Sequence, residues 1–322
     1  MADNEILIKD KKQGLTENET LQEKKTLKKI YWILALIGVF FLGDRIGGYL
    51  FNQAIDKSGF RYSRMYRGEA NCDLLFMGNS RGLGFYQPYI EEVTGKKTFN
   101  LSYNALPIDL GRALLEDYLA NNKKPEVFVL DVSMTNRIDT TLISGFNVYT
   151  PYSESVSEVV KDVVPKVYYG GKLSHLFLHN GEIFQRAIRY LNNTDEAWLN
   201  DRVISDGLIG RVHELHDSIV GPFNENQEIV EFIYDELKST VQIAKDNNIK
   251  VKLVINPFFP KYANKMVNYE DFVQKVETLT GLKVHNYAKA IQNRDAFSDF
   301  QHLNRKGSQQ YIDLLKREGI FD

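Results

Sequence analysis

At 322 residues, with 43% hydrophobic side chains and a formal net charge of -2, the chain can bury a sizeable core and lacks the basic excess that favours nucleic acid, so no nucleic-acid partner is expected. Its single cysteine excludes an intramolecular disulfide, a cysteine-rich zinc site and a CxxC redox pair. Cys72 stands just before an apolar run and reads as a small buried hydrophobe rather than a nucleophile.

Residues 1–29 are rich in Lys, Glu, Asp and Asn and poor in large apolar side chains, which predicts a disordered tail. The uncharged run Ile30 to Gly43 follows, preceded directly by Lys24, Lys25, Lys28 and Lys29. With Ile46 to Phe51 it gives an apolar segment at 30–51, long enough to cross a bilayer past the Asp44-Arg45 step, a pair expected at the outer interface. A cleaved signal peptide would have a shorter leader and a small-x-small site, and a buried core helix would not need the lysine block. The reading is a single-pass anchor in the cell membrane. Its lysines mark the cytoplasmic side, which puts residues 52–322 outside the cytoplasm.

From Asp73 onward, short apolar runs alternate with longer stretches of helical spacing. Leu74 to Met77, Thr98 to Leu101, Val127 to Val132 and Val251 to Ile255 predict buried strands, with a fifth around Val284. Ile108 to Asn121 and Gln227 to Asp246 predict helices between them. Such alternation points to a three-layer α/β/α fold on a parallel, flavodoxin-like sheet, whose sites form beyond the carboxyl ends of the strands. Residues 137–226 are too long for one crossover and are expected to form a helical insertion. Its Tyr149, Tyr152, Tyr168, Tyr169 and Trp198 would pack a satellite core or stack on sugar rings. His213 and His216 are three apart but have no evident third ligand, so no metal site is expected. No Walker A, GxGxxG or HExxH motif is present, and no cofactor is expected.

The first strand ends in Gly78-Asn79-Ser80-Arg81-Gly82, which places a serine at the carboxyl edge of the sheet among glycines that allow a tight turn. A serine hydroxyl needs a base, and the base an orienting acid. Near the other end of the chain, Asp299-Phe300-Gln301-His302 precedes a helical pattern from Arg305, so one loop can present both groups. The candidate catalytic residues are Ser80, Asp299 and His302.

These blocks resemble the SGNH/GDSL hydrolase superfamily, with Gly78-Asn79-Ser80 in the place of its first GDS block and Asp299-Phe300-Gln301-His302 in the place of its last DxxH block. The resemblance spans about Asp73 to Leu315 and implies a Ser-His-Asp triad and an oxyanion hole. Asn79 replaces the aspartate of the first block. The second block has Ser102 where the family has a glycine, and the third, Leu130 to Asn136, contains no GxND. The oxyanion donors implied are Ser80, Ser102 and either Asn104 or Asn136.

The anchored layout is similar to members of the superfamily that work in cell-envelope O-acylation beside polytopic membrane acyltransferases. The expectation is a serine esterase or O-acyltransferase acting on an acylated cell-envelope carbohydrate. The alternative is a non-catalytic glycan-binding or scaffolding partner of a polytopic membrane acyltransferase.

Overall fold

The computed structural model describes residues 2–133, 139–214, 227–267 and 269–322. One helix, α1 (Ala2–Lys57), opens the chain. Composition predicts disorder over residues 1–29, and the structure instead carries the helix back to Ala2. The segment has no proline and many straight-chain Lys, Glu, Gln and Leu residues, which lose little side-chain freedom in a helix. Within α1, Lys24–Lys57 is long and apolar enough to span a membrane, and none of that stretch's most apolar window is buried by the protein.

After α2 (Arg61–Tyr66) come β1 (Leu74–Met77), α3 (Gln87–Thr94), β2 (Thr98–Asn100), α4 (Ile108–Asn121) and β3 (Val127–Asp131). The insertion holds α5 (Thr140–Gly145), α6 (Glu154–Val163), α7 (Pro165–Leu173), α8 (Glu182–Arg189) and α9 (Asp206–Glu214). The chain returns through α10 (Gln227–Asp246), β4 (Lys250–Ile255), α11 (Pro260–Ala263), α12 (Tyr269–Thr280) and β5 (Val284–Asn286), and closes with α13 (Arg305–Arg317).

The strands form a parallel sheet in the order β2-β1-β3-β4-β5, the flavodoxin-like arrangement. Each strand alternates its side chains between two apolar layers, as a pleat requires. Leu75, Met77, Phe128 and Leu130 join α4, α10 and α12 on one face. Leu74, Phe76, Val127 and Val129 join α3 and α13 on the other. Strand order reverses between β1 and β3, and that is where Ser80 emerges.

The insertion packs on the first face. Tyr149 is fully buried, its hydroxyl 2.8 Å from Ser63 Oγ, and the Tyr152 hydroxyl donates to Asp56 at 2.8 Å, so these tyrosines build a satellite core. A buried ion pair ties the insertion down: Arg61 Nε donates to Asp195 Oδ2 at 2.6 Å, and the same guanidinium reaches the carbonyls of Asn100 and Ser102. His213 lies 3.0 Å from the Lys261 ammonium, an arrangement unsuited to metal ligation, and His216 lies outside the described residues.

Candidate active site

The chain leaves β1 through Gly78 and enters a 3-10 turn, Ser80–Gly84. Asn79 caps the turn, its side-chain oxygen accepting from Arg81 N at 3.0 Å while its amide donates to Ser133 O at 3.2 Å. A carboxylate is therefore not needed at this position, since an amide oxygen makes the same cap. Gly82 is required by close approach: a Cβ there would lie 2.2 Å from Ser102 Oγ.

The candidate acid and base, Asp299 and His302, come from the loop before α13. Asp299 Oδ1 accepts the backbone N–H groups of Gln301 and His302 at 2.8 and 2.9 Å, which folds the loop into a tight turn. Ser298 N donates to His302 O at 2.9 Å and closes it. Within this frame His302 Nδ1 lies 2.9 and 2.8 Å from the two Asp299 oxygens, and Nε2 lies 2.7 Å from Ser80 Oγ. The structure thus brings the three residues into one hydrogen-bonded chain, across 222 positions of sequence between Ser80 and His302. Partial burial disfavours a charged Asp299, but the His302 ring and the two backbone donors outweigh it and hold the carboxyl below its ordinary value.

The chain of groups lies in an open cleft of about 240 Å³, lined also by Leu83, Asn104, Trp198 and Asn200. The Arg186 guanidinium covers the Trp198 ring at 4.2 Å. Ser298 Oγ donates to Asn200 O at 3.0 Å, tying the insertion's side of the cleft to the acid-base loop.

The oxyanion donors divide. Ser80 opens its turn, where an N–H has no acceptor within the turn itself. Asn104 lines the cleft, presented by Ala105, which adopts a left-handed backbone with φ of 54°. Ser102 is corrected by the geometry: it is fully buried, and its N–H donates to the Asn100 side chain at 2.9 Å, so it is not available to a substrate oxygen. Asn136 lies outside the described residues.

A second layer holds the serine turn in place. Arg81 Nη2 donates to both Asp131 oxygens at 3.2 Å and Nη1 to Asn256 O at 3.3 Å, while its guanidinium lies 3.7 Å over Phe258. Asn256 Nδ2 donates back to Arg81 O, and the Tyr311 hydroxyl donates to Asn256 Oδ1. Asn100 Nδ2 donates to Gly82 O and Phe85 O. Motif reading misses Arg81, Asn100, Asp131 and Asn256, although a signal exists: each of the last three is a polar residue that ends or directly follows a strand, at the carboxyl edge where sites form. Cys72 is buried away from this site, and burial pushes its thiol up to about 12, so it is no nucleophile at neutral pH.

No protein-family model and no curated protein matches the chain. Among solved structures it is similar to a Streptococcus pneumoniae protein described as a platelet activating factor, at 14% identity over 89% of this chain and 98% of that one, with a TM-score of 0.39. A likeness of this degree assigns neither activity nor substrate.

Proposed function

We propose that the protein is a membrane-anchored serine acyl esterase or O-acyltransferase of the SGNH type, acting on an acylated carbohydrate of the cell envelope. The observation that carries this reading is the unbroken chain from Ser80 Oγ through His302 to Asp299 at the mouth of a cleft. His302 Nε2 takes the Ser80 proton as Oγ bonds to the acyl carbonyl carbon, and Asp299 stabilises the resulting imidazolium. The oxygen charge that develops faces the Ser80 N–H and Asn104. Collapse breaks the ester C–O bond, the alkoxide leaves with the proton from His302, and the acyl group stays on Ser80. Water or a sugar hydroxyl then attacks, giving its proton to His302, and Ser80 is released with that proton returned.

The cleft is smaller than the roughly 300 to 1,000 Å³ of typical drug-sized ligand sites, which suits a short acyl group better than a long chain. The lysines before Ile30 favour a cytoplasmic N-terminus and a cleft facing the envelope, and tethering near a membrane acyl donor favours transfer over hydrolysis. The test is labelling of the full chain by a fluorophosphonate, together with hydrolysis of an aryl acetate. Wild type is expected to do both and Ser80→Ala neither.

One observation favours a second reading, a non-catalytic scaffold beside a polytopic membrane acyltransferase. The Ser102 N–H is occupied and the end of β3 presents Asp131 paired with Arg81 instead of a free amide, so the oxyanion hole has fewer donors than the family pattern implies. A folded wild-type chain that resists the fluorophosphonate would decide for it.

A further inference from the structure

The C-terminal half of α7 and the turn that follows it have an unusual surface. Leu173 is 80% exposed and Tyr169 57%, with Leu176 and Phe177 also solvent-facing. The segment 173–176, which carries Leu173 and Leu176, sits against the membrane-length part of α1. Asp44 accepts from Ser174 Oγ, from His175 N at 2.9 Å and from Leu176 N at 3.0 Å, and Arg45 Nη2 donates to Leu173 O at 3.1 Å. A Cβ on Gly47 would meet Leu176 at 2.8 Å and one on Gly48 would meet His175 at 2.3 Å, so the two segments are in close contact.

The level of that contact along α1 decides what covers the patch. The uncharged stretch begins at Ile30, after Lys29, and a crossing of about 20 residues ends near Tyr49. Tyr31 and Trp32 at one end and Tyr49 at the other are about 27 Å apart at 1.5 Å per residue, the spacing of two interfacial aromatic belts. Asp44 therefore lies roughly 8 Å inside the outer belt. Charged groups at that depth persist when paired with one another or with backbone groups, and here the 173–176 segment supplies the partners. On α1 itself Ile46 and Leu50 stay exposed at the same level, so the apolar surface is continuous from helix to loop.

We propose that residues 169–177 form a foot immersed in the outer half of the bilayer, with Tyr169, Leu173, Leu176 and Phe177 against lipid acyl chains. The Asp44 and Arg45 contacts satisfy the polar groups the foot carries down with it. This inference rests on the membrane-spanning reading of α1, and the test separates the two.

The full chain is reconstituted in phosphatidylcholine vesicles containing brominated lipid. An environment-sensitive thiol label is placed at Leu173→Cys, at Ile37→Cys within the span and at Lys289→Cys on an exposed loop beyond β5. Cys72, buried and with its thiol raised to about 12, stays unlabelled. The Leu173 label is expected to lose fluorescence to brominated lipid as the Ile37 label does, and to resist an aqueous quencher that dims the Lys289 label. An Ile37 label that is quenched beside a Leu173 label that behaves like Lys289 overturns the foot alone. An unquenched Ile37 label overturns the spanning helix and the foot with it.

Discussion

His302 stands between Ser80 and Asp299 in one hydrogen-bonded relay, so single substitutions have distinct expected signatures. Ser80→Ala removes the nucleophile and is expected to abolish acyl transfer. Asn104→Ala removes one oxyanion donor and is expected to lower kcat on the order of 100- to 1,000-fold with little change in KM, measured on an activated ester. The pH profile follows from the shift at Asp299. Its folded pKa is depressed, so its stabilising contribution is complete above the ordinary 3.8 and is lost only as pH falls through the lower folded value. Protonation of Asp299 should therefore set no acid limb on activity above pH 3.8, which a pH-rate profile on an activated ester checks. Asp299→Asn is expected to cut the rate on the order of a thousandfold or more, because the imidazolium loses its carboxylate. These three residues are legible in the sequence because each needs a particular chemistry at a strand end or before a helix. Ser102 misleads for the same reason: its position matches the motif, but only the fold reveals that Asn100 has already taken its N–H.

Local pattern defines the elements well wherever burial is two-sided. The runs Leu74–Met77 and Val127–Asp131 are buried throughout, and that apolar continuity is what marks them as inner parallel strands. The start of α1 is opaque for the opposite reason, since composition without a buried face cannot distinguish coil from a solvated helix. The contacts between elements are equally hidden. Arg61 on α2 carries no motif signal, yet it is 4% exposed, pairs with Asp195 from the insertion and reaches the carbonyls of Asn100 at the end of β2 and Ser102 just beyond it. Arg61→Ala leaves the Asp195 carboxylate buried without its partner and is expected to cost about 3 to 5 kcal/mol in chemical denaturation of the full chain. Ala105→Gly is the converse case. It relieves a left-handed alanine and is expected to stabilise by up to about 1 kcal/mol, read from the same denaturation curves.

At the scale of the whole molecule, the C-terminal end of α1 packs onto the globular part. The Phe51 ring of α1 packs against that of Phe184 on α8, centroids 5.0 Å apart and tilted by 50°, and Asn52 Oδ1 lies 2.9 Å from His179 Nε2. Gly48→Leu would drive a side chain into His175, and amide exchange at His175 and Leu176 is expected to accelerate as the Asp44 acceptors are pulled away. The short helix α8 has two neighbours: through Phe184 it rests on the anchor, and through Arg186 it braces Trp198 at the wall of the cleft. One short helix thus joins the membrane-length helix α1 to the cleft, and on the proposed function it would make the protein a ruler. If the proposed anchoring and activity hold, the mouth would sit at a set height above the lipid, and a long envelope polymer would be modified only in the zone that passes at that height, whatever its overall length.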